Sequence, residues 1–339
     1  MYPHQIERLT EALEREGLAA VVATSAANVF YMTELQSRRD EVTERFAVWA
    51  PGREALVTPA KDVSNALRAL SVTGGRIGLD ESNLTPAARK RLTASLAGFT
   101  LVPCAAALSA ARRVKSPYEI ECLGRSLGIA EEALNAVLQM LVPGVTEREA
   151  AAVYRTEVTK RDAVPGPLSI AFGERTGIAL PPPTERALAI GDLVKFDVGT
   201  LFKGYCSRVA RMAVMGEPTE RQAAVLEAVQ AGLEAGIYAV KPGATAGSIY
   251  EGVVSRVREA GLADFRCDHA GHAIGLEPRE SPDLRPGEST QLTSGEILSL
   301  DVSHLESGWG GVALRDTVLV TTTDSRVLNR SVRGLVVLD

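Results

Sequence analysis

Asp197 stands inside the apolar run Leu193-Val-Lys-Phe-Asp-Val198, where a carboxylate has to be paired, metal-bound or neutralised. The run is followed by Gly199-Thr-Leu-Phe-Lys-Gly204 and then by Tyr205-Cys-Ser-Arg-Val-Ala210, so the stretch reads as two strands joined by a tight turn. A matching carboxylate in the second strand would complete a metal or acid–base pair, but the residue there is Arg208. Histidine chemistry has few candidates: His4, His269, His272 and His304 are the full set. Cys104, Cys122, Cys206 and Cys267 are scattered without a Cys-x-x-Cys pair, which argues against a thiolate zinc site or a disulfide framework.

The elements that must hold these residues fall into two groups. Residues 4–16 carry Ile6, Leu9 and Leu13 at helical spacing, and Leu18–Ala23 reads as a short buried strand leading into a loop and a turn of helix. A hairpin over 45–58, helices over 60–70 and 85–97, and strands over 76–80 and 99–103 complete an α/β unit. It lacks a Gly-x-Gly-x-x-Gly phosphate loop and any concentration of catalytic residue types. The crossing to the second group is placed at 110–116, giving expected domains of 1–109 and 110–339. Ser116-Pro-Tyr-Glu119 and Thr146-Glu-Arg-Glu149 have capping-box form and open packing helices that run to about 141 and 160. The Pro- and Gly-rich stretch 165–183 reads as irregular strand and loop. Helices over 219–239 and 245–259 and strands over 295–303 and 310–320 give the second half an α+β pattern.

With 339 residues, 45% of them hydrophobic, the chain can bury two cores. Its 37 basic and 42 acidic residues give a formal charge of −5, which excludes a broad nucleic-acid surface. No apolar run reaches membrane-spanning length and the first residues form no signal core, so a soluble, cytoplasmic protein is expected, with no membrane or nucleic-acid partner.

Six motifs occur in a characteristic order: Lys115-Ser-Pro-x-Glu119, Pro143-Gly-x-Thr-Glu147, Gly191-Asp…Phe-Asp197-x-Gly, Lys203-Gly-Tyr, Gly271-His-x-Ile-Gly-Leu-Glu277 and Gly311-Val…Asp-Thr-Val-Leu-Val320. Together they resemble the creatinase, prolidase and aminopeptidase P family across essentially the whole chain. The resemblance implies a C-terminal α+β "pita-bread" domain preceded by a smaller α/β domain. It also implies a homodimer and an Xaa-Pro dipeptidase or aminopeptidase activity at two divalent metals held by Asp, Asp, His, Glu and Glu.

Laid on this chain, those ligand positions read Asp197, Arg208, His272, Asp301 and Arg315. The two positions that bridge both metals are thus arginines, which cannot donate a lone pair and bring two positive charges where cations would sit. The family's proton-handling His falls on Arg279, and its loop His is missing from Ala179–Arg186. The expectation is a protein without metal or other cofactor, in which Arg208 and Arg315 pair with Asp197 and Asp301. An alternative role for Arg208, Arg315 and Arg279 is binding a carboxylate or phosphate, with Glu277 and Glu280 as structural ion-pair partners. A small molecule or a peptide is the expected ligand of the retained cleft, with specificity resting on loops such as 165–186 and 33–45. If hydrolysis survives without metal, as creatinase performs it on this fold, the acid–base candidates are His272, Asp197 and Asp301, with His269 beside them.

Overall fold

The computed structural model describes residues 1–35, 45–82 and 84–339, so most of the 33–45 loop lies outside the described residues. The chain divides into two compact units, Met1–Arg113 and Val114–Asp339. The first unit runs past residue 109 because α5, Ala105–Arg113, is a continuous helix where the sequence suggested only a crossing.

In the first unit α1 (Pro3–Glu16) stops at Gly17, whose φ of 62° closes the helix with backbone bonds to Leu13 and Glu14. Strands β1 (Ala20–Ala23), β2 (Arg45–Trp49), β3 (Leu56–Pro59), β4 (Arg76–Leu79) and β5 (Thr100–Pro103) form a sheet in the order β3-β2-β1-β4-β5. Helices α2 (Ala26–Thr33), α3 (Val63–Ala69) and α4 (Pro86–Ser95) complete the expected α/β alternation. Val22, Val48, Leu67, Ile77 and Leu92 meet in its core. The buried Asp80 carboxylate accepts bonds from Ser25 N, Ser25 Oγ and Asn28 Nδ2, tying the start of α2 to the end of β4. Those bonds outweigh the effect of burial and lower its pKa to about 2.

The second unit opens with α6 (Pro117–Met140) and α7 (Glu147–Thr159). Both carry the capping boxes read from the sequence: Ser116 with Glu119, and Thr146 with Glu149. The strands that follow are β6 (Val164–Phe172), β7 (Leu193–Phe202), β8 (Tyr205–Met215), β9 (Gly271–Ala273), β10 (Glu280–Asp283), β11 (Ile297–Glu306) and β12 (Gly310–Val320). Their order in the sheet is β10-β9-β11-β12-β8-β7-β6, with β13 (Ser325–Val327) on β12 and β14 (Val336–Leu338) beside β8. Helices α6 and α7 cover Val194, Phe196 and Val198 of β7. Helices α8 (Glu220–Ala239) and α9 (Ala246–Glu259) cover Leu298, Leu300, Val302 and Leu314 of β11 and β12. The helices α8 and α9 approach closely because Gly232 leaves room; a Cβ there would lie 2.2 Å from Val257 Cγ2.

The stretch 165–183 is irregular strand and loop, as expected: β6 pairs with β7 from Val164↔Leu201 to Phe172↔Val194 with a register shift between Pro165 and Leu168, and a short 3-10 turn and loop follow it. The β7–β8 turn is tighter than the Gly199–Gly204 span: only Lys203 and Gly204 lie outside the ladder, with φ of 47° and 81°. That is the paired positive φ of a two-residue hairpin turn.

Candidate functional site

Antiparallel pairing places one row of residues across the middle of the second unit's sheet. Asp197 lies opposite Ser169 on β6 and opposite Ala210 on β8; Ala210 lies opposite Arg315 on β12, which lies opposite Asp301 on β11. Opposed residues of an antiparallel ladder project to the same side, as do residues two apart along a strand. Asp197, Arg315 and Asp301 therefore share one side with Lys195, Arg208 and Ser299, and His272, opposite Ser299, joins them. The helices cover the other side: Val194, Phe196 and Val198 alternate with Lys195 and Asp197, and Leu300, Val302 and Leu314 with Asp301 and Arg315.

On this side the four predicted charges make one network. Arg208 Nη2 donates to Asp197 Oδ1 at 2.6 Å. Arg315 Nη2 donates to Asp301 Oδ2 at 2.5 Å and lies 3.4 Å from Asp197 Oδ2, so a single guanidinium nitrogen sits between the two aspartates. Arg315 Nη1 is 3.5 Å from Ser299 Oγ. Asp197 and Arg315 are buried, while Asp301 and Arg208 are partly open. Burial alone would raise the Asp197 carboxyl, but the charges of Arg315 and Arg208 outweigh it and hold the group below the usual carboxylate range. Burial likewise opposes the Arg315 cation, and Asp301 and Asp197 more than restore it. Arg208 is different: burial and the neighbouring Arg315 charge together leave its cation less stable than in water.

Burial, reinforced by the Arg315 charge, pushes the imidazole of His272 down to about 4. It is neutral at pH 7, and its Nδ1 lies 3.0 Å from the carbonyl of Ala273, which can only accept. The proton is therefore on Nδ1, and Nε2 keeps its lone pair. The ring of His269 stacks beside it, centroids 6.4 Å apart. Arg279 has no hydrogen bond to the network; its Nε pairs with Asp283 Oδ1 at 2.9 Å on an exposed side chain. Glu280, read with Glu277 as a structural ion-pair partner, holds the buried Lys115 ammonium at 3.0 Å.

Lys195, fully buried on the same side as Asp197, was not anticipated. Its Nζ donates to the carbonyls of Thr176, Ile178 and Ala179 and so ties the 174–181 segment to the sheet. Burial brings its pKa down to about 8, against the opposing pull of Asp197 and Asp301. The sequence did carry a signal: a cation two residues before a buried aspartate in a strand must share its face. Glu147 pins the same segment from α7, accepting from Phe172 N, Arg175 Nε, Thr184 N and Thr184 Oγ1. Ser169 Oγ adds a bond to the carbonyl of Pro181, so the stretch from β6 to β7 is a fixed wall beside Asp197. On the helix-covered side Arg211 donates to Asp316 Oδ1 and to the carbonyl of Arg315, which fixes the backbone that carries Arg315.

Among the described residues no group of three or more His, Cys, Asp or Glu side chains is placed to hold a metal ion. Nor is any described helix long and apolar enough to cross a membrane.

Comparison with known proteins places this site in context. The sequence profile of metallopeptidase family M24 matches residues 121–322. The chain is 24% identical over 352 residues to the uncharacterized peptidase YqhT of Bacillus subtilis, covering 98% of this chain and 100% of the relative. It is 30% identical over 226 residues to an Xaa-Pro dipeptidase of Pyrococcus furiosus, covering 66% of this chain and 65% of the relative. Among solved structures, an Xaa-Pro dipeptidase from Bacillus anthracis superimposes with a TM-score of 0.89 at 22% identity, over 98% of this chain and 99% of the other. An X-Pro aminopeptidase from Thermotoga maritima superimposes equally well, with a TM-score of 0.89 at 20% identity and the same coverage of both chains.

Proposed function

Because the chain belongs to metallopeptidase family M24, we propose that it is a peptidase-like protein in which Arg208 and Arg315 have taken over the charge role of two metal ions. In this reading it carries no metal, does not cleave Xaa-Pro bonds as a metallopeptidase, and keeps the charged face of its sheet to bind a small molecule or a peptide. One observation carries the reading: Arg315 Nη2 lies within reach of both Asp197 and Asp301, between carboxylates at two of the ligand positions that the family resemblance implies.

The donor set does not fit two divalent cations. Ions of a two-metal site sit about 3.5–4 Å apart and need bridging carboxylates, and both bridging positions implied by the family resemblance are guanidinium groups. A dication taking the place between Asp197 and Asp301 would meet a permanent positive charge there. At about 4 Å, even two unit charges repel by about 4 kcal/mol at an effective dielectric of about 20. Arg208 and Arg315 already supply the positive charge that the two aspartates need, so the carboxylates gain nothing from a metal.

His272 does not rescue a metal-independent hydrolase. With its pKa at about 4 it is a weak base at neutral pH, and Asp197 and Asp301 are both engaged by arginine. The test is turnover of Xaa-Pro dipeptides with and without manganese. The reading predicts no manganese-stimulated cleavage. Manganese-dependent hydrolysis of these bonds would contradict it, and metal-free turnover abolished by His272→Ala would establish the hydrolase instead.

A further inference from the structure

The charged side of the second unit's sheet carries more positive charge and more donors than its aspartates can use. Asp283, opposite His272 at the edge of this side, is already paired with Arg279; in the middle Lys195, Arg208 and Arg315 face Asp197 and Asp301, three cations against two anions. Lys195 is spent on backbone carbonyls, which carry no charge to offset its own. Among the described residues Arg208 gives only its Nη2 to an acceptor, and its Nε is buried without one. Arg315, whose side chain is 4% exposed, likewise keeps a buried Nε without a partner. Buried guanidinium donors normally find acceptors, because an unmet donor loses its water and gains nothing in return. The fields agree with this count. Arg208 is destabilised as a cation where it stands, and His272 is held neutral partly by the charges of Arg315, Arg279 and Arg208.

Resting on the metal-free reading above, we propose that this face binds a carboxylate monoanion, taken by the unused donors of Arg208 and Arg315. A carboxylate matches the count: it adds one negative charge to a surplus of one positive, and its two oxygens suit the fork of a guanidinium. Arg208 and Asp301 are the partly open members of the network, so the anion enters on their side. Asp301 competes with it for Arg315. His272 offers a lone pair at Nε2, which selects ligands that place an N–H or O–H donor near the carboxylate. The same carboxylate can come from a free small acid or from the C-terminus of a peptide, and titration separates the two.

Calorimetric titration of the full chain, with metal content measured on the same sample, tests the proposal. The probes are sodium acetate, glycyl-L-proline and glycyl-L-prolinamide in low-chloride buffer. Acetate or the dipeptide should bind at least about tenfold more tightly than the amide, in keeping with the weight of a charge-assisted hydrogen bond. Equal affinity for acetate and the dipeptide identifies a free acid as the ligand, and a preference for the dipeptide identifies a peptide end. Arg208→Met should weaken binding by about tenfold to a hundredfold. Because that variant also disturbs Asp197, the deciding variant is Asp301→Asn, which keeps the shape and removes the competing charge. It should tighten carboxylate binding several-fold, an outcome that a purely structural role for Asp301 does not produce. A metal-free protein that treats acid and amide alike, or an Asp301→Asn variant that binds more weakly, overturns the carboxylate site and leaves the metal-free reading standing. A metal-loaded protein overturns the metal-free reading itself.

Discussion

Replacing Arg315 by methionine would leave Asp197 and Asp301 facing a space that no cation occupies. Arg315 Nη2 lies 2.5 Å from Asp301 and 3.4 Å from Asp197. At an effective dielectric of about 20 each contact carries a Coulomb term of about 5–7 kcal/mol. Most of that gross gain is spent on removing three charges from water, and breaking a buried pair by deleting one partner costs about 3–5 kcal/mol net. Asp301 retains 17% of its side-chain exposure, which favours the lower half of that range. Arg315→Met should therefore lose about 3–4 kcal/mol at pH 7, read as a fall of roughly 6–16 °C in the melting temperature of the second unit. The loss should shrink toward pH 5, because a stranded carboxylate can take up a proton, whereas the wild type gains nothing by acidification. Adding Asp301→Asn to Arg315→Met should restore at least half of the loss at pH 7 by removing the uncompensated charge. Urea unfolding of the wild type, the two single variants Arg315→Met and Asp301→Asn, and the double variant at pH 7 and pH 5 makes the measurement. A loss below about 1 kcal/mol at pH 7, or a loss independent of pH, would refute an Arg315 that binds the two aspartates together.

Two further outcomes follow from buried groups on the same unit. His272 has a folded pKa of about 4 against an ordinary 6.5, so on acidification the unfolded chain takes up the proton first. Its contribution to stability is complete above pH 6.5 and is lost as pH falls toward 4. Between pH 7 and 4.5 the loss amounts to about 2 kcal/mol, and His272→Gln should flatten the acid limb of the stability curve by that amount. Glu147 gathers four donors from the 172–184 stretch, so Glu147→Ala should cost about 3 kcal/mol or more and raise amide exchange in residues 172–184 ahead of the rest of the sheet. Unchanged exchange there would show that Lys195 and Ser169 hold the wall without it.

Much of this arrangement was legible from residue types alone. The capping boxes at Ser116 and Thr146 set the starts of α6 and α7, because their bonds are local and the chain needs no tertiary partner to make them. Asp197 in an apolar run demanded a partner, and the arginine of the next strand supplied one at 2.6 Å. Pairing Arg315 with Asp301 needed the family resemblance, since nothing local says that β11 and β12 oppose these two residues in register. What the sequence withheld was tertiary. Arg279 turned to Asp283 rather than to the network, a choice between nearby carboxylates that spacing does not decide. Lys195 found its acceptors in the carbonyls of an irregular segment, which carry no signature in residue type. The register of β6 was not legible either, although Pro165 signals the irregularity that appears between Pro165 and Leu168.

Metal analysis of the purified, unchelated protein bears most directly on the claim that guanidinium groups stand where this family's metals would. Elemental mass spectrometry should find manganese, zinc and cobalt far below one ion per chain, and added manganese should leave the melting temperature unchanged, because a ligand that does not bind the folded state cannot stabilise it. Stoichiometric metal that is lost in Asp197→Asn or His272→Ala would place an ion at this site and contradict the account.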